Sequence, residues 1–76
     1  MNKEDFLINL GRNIRQRREN LKLSRQSLAE KAGMSIEFLG GIEKARQNPS
    51  ILKILDLSTA LNVNFIELVS FDENTD

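Results

Sequence analysis

The chain has 76 residues, with eleven basic and eleven acidic side chains, no cysteine and no histidine. This length has room for one domain with a modest core, and without cysteine or histidine the chain lacks disulfides, thiolate metal sites and the commonest general base, so we expect no enzyme, no metal and no cofactor. The chain shows neither a signal peptide nor the roughly 20 apolar residues that span a bilayer, so we expect a cytoplasmic protein with no membrane partner. Because 76 residues leave no room for a ligand-sensing domain, we expect no small-molecule ligand.

The zero net charge conceals an asymmetry along the chain. Between Gly11 and Lys53, ten basic side chains stand against four acidic ones, whereas only acidic side chains follow Lys53. This pattern is typical of a protein with one face toward DNA and another toward solvent or a partner. Ordinary solvated helix surfaces are the alternative interpretation.

The first predicted helix runs from residue 2 or 4 to residue 20. Apolar residues at intervals of three, four and seven form one stripe that we expect to be buried: Phe6, Leu7, Leu10, Ile14 and Leu21. The opposite face carries the arginines.

Two short helices, at about 25–31 and 36–44, are predicted on either side of Gly33. Ser24 and Ser35 each precede a helical run, where a hydroxyl accepts hydrogen bonds from N–H groups of the first turn. Apolar residues recur at helical spacing in both: Leu28, Ala29, Ala32, Leu39 and Ile42. So tight a turn makes the helices cross steeply, which is the geometry of a helix-turn-helix unit.

The outward side of the third helix holds the candidate base-reading residues: Ser35, Ile36, Glu37, Gly40 and Gly41. Glu37 can accept from a cytosine amino group and Ile36 can pack on a thymine methyl, but the helix has no arginine for guanine. Each adjacent glycine costs about 1 kcal/mol relative to alanine. The glycines either bring the helix backbone close to DNA or let two helices pack tightly, and both explanations stay open.

The fourth and fifth helices begin after Ser50 and Asn64. The fourth, about 51–61, is expected to bury Ile51, Ile54, Leu57, Ser58 and Leu61, and the fifth comprises Phe65, Ile66, Leu68 and Val69. Five apolar residues exceed what one small core requires and predict a homodimer interface: Leu52, Leu55, Ile66, Val69 and Phe71. Scattered exposed leucines are the alternative. We expect a single domain over 1–76 with its core at about 5–69, and a disordered acidic tail at 72–76.

Four segments in fixed order between Leu10 and Leu68 resemble the Cro and phage-repressor-like (Xre-type) helix-turn-helix DNA-binding domains. They are LGRNIRQRRENLKLS, LAEKAGMS, FLGGIEKARQNPS and ALNVNFIEL. The resemblance implies an all-α, lambda-repressor-like fold of five helices. It also implies a bacterial or phage regulator, most simply a repressor, that binds a pseudo-palindromic double-stranded DNA operator as a homodimer. A restriction-modification controller, an antitoxin and a protein-interaction module that does not bind DNA are the alternatives.

The resemblance also implies roles for individual residues. Contacts with the DNA backbone are expected from Ser24, Arg25, Phe38, Lys44, Arg46, Gln47 and Asn48. Arginine at a helix start opposes the macrodipole, so Arg25 needs a phosphate or a base edge. Arg18 is expected to pair with Glu43 in a partly buried bridge, and secondarily to contact DNA. Lys22 and Ala45 stand where the family often has glycine, which leaves the geometry of both turns open.

Overall fold

A computed structural model of the chain describes residues 1–71, which form five α-helices. They are α1 (Lys3–Asn20), α2 (Arg25–Ala32), α3 (Ile36–Glu43), α4 (Ile51–Ala60) and α5 (Phe65–Val69). The predicted all-α fold is confirmed, and the helix ends agree with the expected ones to within one residue. The predicted acidic tail at 72–76 lies outside the described residues. No helix within 1–71 is long and apolar enough to cross a membrane.

Serine caps start three of the helices, as predicted. The hydroxyls of Ser24, Ser35 and Ser50 accept hydrogen bonds from the backbone N–H three residues later, at 3.0, 3.0 and 3.2 Å. At the start of α5 the Glu67 carboxylate accepts from the N–H of Asn64 at 2.9 Å. Each bond gives a partner to a donor that the first helical turn leaves unsatisfied. Helices of only eight and five residues therefore have defined starts.

Left-handed backbone conformations end several helices. Gly33 makes the turn between α2 and α3 with a φ of 70°, which costs glycine little. Lys22 and Ala45 both have a φ of 61°. The two turns whose geometry the sequence did not decide are therefore left-handed, although neither residue is glycine. This conformation costs a residue other than glycine about 1–2 kcal/mol.

The core lies where the five helices meet. Its enclosed apolar side chains are Leu10, Ile14, Leu28, Leu39, Ile42, Leu57, Leu61 and Leu68. Two residues predicted to be buried are instead exposed, Leu21 by 49% and Ile51 by 70%. Leu21 caps the end of α1, beyond the helical stripe. Ile51 is the first residue of α4, and because helical side chains lean toward the N-terminus of their helix, no earlier turn of α4 lies beneath it.

Val69 and Phe71 were expected to be surplus to the core, and this expectation is wrong. Both are half-buried and pack against it. The ring of Phe71 meets that of Phe6 edge to face, with the centroids 5.4 Å apart and the planes at 71°. Leu52, Leu55 and Ile66 are exposed as expected.

Gly11 sets the distance between α1 and α3. A Cβ at this position would lie 2.6 Å from the carbonyl oxygen of Ile42 and 2.7 Å from that of Glu43. At Gly40 a Cβ would meet only the Cδ of Arg25, at 3.6 Å, and at Gly41 it would meet the side chain of Gln47. Tight packing of two helices was one explanation for Gly40 and Gly41, but the structure shows it at Gly11.

Candidate nucleic-acid interface

An open groove of about 430 Å³ lies along α3. Eight residues of α2, α3 and the loop after α3 line this α3 groove: Arg25, Ile36, Glu37, Gly40, Gly41, Lys44, Arg46 and Gln47. Three of them are basic and one is acidic, so the α3 groove has an excess of positive charge. It brings together four of the residues expected to face bases and four of those expected to contact the DNA backbone.

The other predicted contact residues lie outside this lining. Ser24 and Ser35 are exposed helix caps, and because each hydroxyl accepts a backbone hydrogen bond, its own proton is left to donate. Phe38 is half-buried and packs against the core. Asn48 is exposed in the loop after α3.

A buried ion pair joins α1 to the end of α3. The Arg18 Nε donates to the Glu43 Oε2 at 2.7 Å, and its Nη2 donates to Oε1 at 3.0 Å. The third nitrogen, Nη1, donates to the carbonyl oxygen of Leu23 at 3.0 Å. The hydrogen bond with Glu43 raises the pKa of Arg18 above its ordinary value, although burial acts to lower it. The Arg18 side chain is only 9% exposed and each of its nitrogens donates a hydrogen bond, so it joins α1 to the end of α3 and keeps little surface for another partner.

Arg25 shares the same carboxylate. Its Nε donates to the Glu43 Oε1 at 3.3 Å, while its side chain stays 35% exposed. Arginine at the start of α2 was expected to need DNA as a partner, but Glu43 already supplies one. Two guanidinium groups and one carboxylate leave this triad with a net positive charge at the edge of the α3 groove.

The loop after α3 is held against the helix by its backbone. The N–H of Arg46 donates to the carbonyl oxygen of Gly41 at 2.7 Å, and that of Ala45 donates to Ile42 at 3.1 Å. The Arg46 side chain is exposed. Within residues 1–71, the backbone N–H groups of Gln47 and Asn48 have no hydrogen-bond partner. The loop therefore presents a cation next to two free donors, a combination that suits a phosphate.

Two residues that matter to this architecture were missed by the sequence interpretation. Asn13 donates from Nδ2 to the carbonyl oxygens of Leu68 at 2.8 Å and Glu67 at 3.2 Å, which ties the end of α5 to α1. No neighbouring residue in the sequence indicates this role of Asn13, because its hydrogen-bond partners lie more than 50 residues away. Gly11 did have a local signal, since it interrupts the apolar stripe of α1 on its buried side.

Comparisons with known proteins identify similar chains. The helix-turn-helix family model HTH_3 matches residues 14–68. An uncharacterized HTH-type transcriptional regulator of Sinorhizobium fredii, y4dJ, is 29% identical over 66 residues, which cover 87% of this chain and 86% of that protein. The immunity repressor protein of Bacillus phage phi105 is 34% identical over 62 residues, 82% of this chain and 43% of the repressor.

A solved structure is also similar. The restriction-modification controller protein C.AhdI from Aeromonas hydrophila is 35% identical to this chain and superimposes with a TM-score of 0.80. The match covers 82% of this chain and 94% of the controller. The likeness therefore extends over most of both molecules and is not limited to the α2 and α3 pair.

Proposed function

This chain belongs to the HTH_3 family of helix-turn-helix transcriptional regulators, and we propose that it binds double-stranded DNA by placing α3 in the major groove. The observation that carries the proposal is the α3 groove, in which the exposed side chains of Ile36 and Glu37 lie among three cations. Cations that contact phosphates supply affinity, and side chains on a protruding helix contact base edges. The simplest form of this function is repression, by occupying a promoter in the cytoplasm of a bacterial cell.

Within this function the lining residues divide into two groups. Ile36 and Glu37 lie on the first turn of α3, where the recognition helix of such a unit contacts base edges. Glu37 would accept from a cytosine amino group, and Ile36 would contact a thymine methyl. Lys44 and Arg46 lie at the other end of α3 and would bind phosphates, Arg46 together with the free N–H groups of the loop.

We expect DNA binding to weaken steeply with salt and Arg46→Ala to make the slope shallower by about one unit, because one phosphate contact is lost. The measurement is fluorescence anisotropy with the duplex that the wild type selects from a random library, from about 50 to about 200 mM salt. Lys3→Ala is the matched control, since it removes one positive charge from the start of α1, outside the α3 groove. An equal change in slope for both variants would contradict the role of Arg46.

The proposed homodimer would form through an α4–α5 surface, defined by Ile51, Leu52, Leu55 and Ile66. All four side chains are exposed, at 70, 69, 44 and 69% respectively. The first three share one side of α4 by their spacing, and α5 packs against α4. Val69 and Phe71, which are half-buried, would lie at the border of this surface. To bind successive major grooves, a dimer built on this surface would have to hold its two α3 helices about 34 Å apart.

Leu52→Glu is expected to make the chain monomeric, because each copy would have to bury a carboxylate in the apolar interface without a partner. The molecular mass in solution, measured by sedimentation equilibrium, tests this result. Ile8→Glu is the control, since Ile8 is an exposed apolar residue of α1 outside the α4–α5 surface. A Leu52→Glu variant with the same mass as a dimeric wild type would rule this surface out.

The second candidate function is control of restriction-modification genes, favoured by the 35% identity to C.AhdI. It uses the same contacts with DNA, so the salt experiment does not separate it from general repression. Footprinting on genomic fragments does, because a controller would protect the promoter of a restriction or modification gene.

A further inference from the structure

We propose that Arg25 reads a guanine base in the major groove. This role rests on the proposed DNA binding and identifies the kind of base that the α3 groove recognises. The sequence placed Arg25 among the expected DNA-backbone contacts but left both a phosphate and a base edge open as its partner, and three features of its surroundings favour the base edge.

The first feature is the position of Arg25 beside the recognition helix. The side chain comes from the first residue of α2 and passes Gly40, with its Cδ 3.6 Å from the place of a Cβ at that position. The aliphatic part of Arg25 therefore lies alongside α3, at ordinary contact distance from this Cβ position. The guanidinium group is thus brought into the lining that also contains Ile36 and Glu37, the two side chains expected to meet bases.

The second feature is the orientation of the guanidinium group. Its Nε is held by the Glu43 Oε1, and Glu43 is itself fixed by two hydrogen bonds from Arg18. In the described part of the chain, the Nη1 and Nη2 groups of Arg25 have no hydrogen-bond partner. A guanidinium held by its Nε presents the two Nη groups side by side, and two parallel donors match the O6 and N7 acceptors of guanine.

The third feature is the lack of another donor of this kind on α3. Residues 35–43 include neither arginine nor lysine. Glu37, the acidic residue of the lining, forms no salt bridge with Arg25 within the described residues. The positive charge of Arg25 is balanced only by a carboxylate whose oxygens already bind Arg18, so its guanidinium keeps the capacity to bind an acceptor on DNA. As α3 has no cation of its own, Arg25 is the side chain beside Ile36 and Glu37 that can supply paired donors to a guanine.

The experiment uses the whole chain and the duplex that the wild type selects from a random library. Each guanine of a half-site is replaced singly by 7-deazaguanine, which lacks the N7 acceptor, or by inosine, which keeps O6 and N7. For the wild type we expect 7-deazaguanine at one position of each half-site to weaken binding roughly fivefold or more, with little effect of inosine there.

Arg25→Lys keeps the charge but loses the paired donors. Because the contact with guanine N7 is already missing in this variant, 7-deazaguanine at that position should weaken DNA binding of the variant by less than roughly twofold. Lys31→Arg is the matched control, because Lys31 is exposed on α2 outside the α3 groove, and its response should equal that of the wild type. Melting curves establish that each variant is folded, and the wild-type response to modified bases does not depend on any variant.

Three outcomes would overturn the role of Arg25 in different ways. If Arg25→Lys keeps the full wild-type response, or if the selected half-site has no guanine, another residue reads the base and DNA binding stands. If 7-deazaguanine has no effect on the wild type, and Arg25→Gln weakens binding to every duplex equally, Arg25 contacts a phosphate. If the wild type selects no duplex at all, the proposed function falls, and the role of Arg25 falls with it.

Discussion

Replacing Glu43 by alanine is expected to lower the free energy of unfolding by about 3–5 kcal/mol. The Glu43 side chain is 1% exposed and is the acceptor for both Arg18 and Arg25. Its removal leaves the nearly buried guanidinium of Arg18 without a counterion, and that lost compensation is the main cost. A domain of this size has about 4–11 kcal/mol of stability in total, so a large part of the variant should be unfolded under mild denaturing conditions.

Urea denaturation followed by circular dichroism measures this effect. Glu19→Ala is the matched control, because Glu19 also pairs with an arginine, Arg15, at 3.1 Å, but both side chains are more than half exposed. An exposed pair at this helical spacing contributes about 0.3–0.5 kcal/mol. Equal midpoints for the two variants would show that the buried pair contributes no more than a surface pair.

The pKa of Arg18 determines at what pH its bond with Glu43 stabilises the fold. Its folded-state pKa is raised, mainly by the hydrogen bond with Glu43. The resulting stability is fully present below the ordinary pKa of arginine and is lost only as the pH rises through the raised value. The arginine side of the pair therefore contributes no pH dependence to stability near neutrality.

Gly11→Ala is expected to destabilise the fold by about 2 kcal/mol. Overpacking costs about 1–3 kcal/mol, and the upper end applies here because the new methyl group meets two backbone carbonyl oxygens of α3 that cannot rotate away. The better helix propensity of alanine offsets about 1 kcal/mol of this cost. The remainder reflects a shift of α1 away from the end of α3, where Glu43 is anchored.

Gly40→Ala is the matched control for Gly11→Ala, since both replace a helical glycine. A Cβ at Gly40 meets only the Arg25 Cδ at an ordinary contact distance, so this change should stabilise the fold by up to about 1 kcal/mol. Thermal unfolding should thus move in opposite directions for the two variants, by about 4–8 °C for each kcal/mol. Stabilisation by Gly11→Ala would show that α1 and α3 are not in close contact.

The sequence by itself determined the five helices and their ends. Serine caps, the glycine turn and apolar spacing all depend on residues that are close together in the chain, so their effect on helix formation can be predicted from the sequence. For the same reason, Ser24, Ser35 and Ser50 cap the helices as predicted. The left-handed turns at Lys22 and Ala45, which the sequence left open, became known only from the structure.

Only the tertiary structure decided which of these residues meet. Arg18 and Glu43 are 25 residues apart, and Arg25 joins them because α2 and the end of α3 converge there. The close approach at Gly11, the exposure of Leu21 and Ile51, and the packing of Phe71 on Phe6 likewise depend on where whole helices lie. Local hydrogen bonds determine each helix separately, whereas shared partners and burial arise from the positions of all five at once.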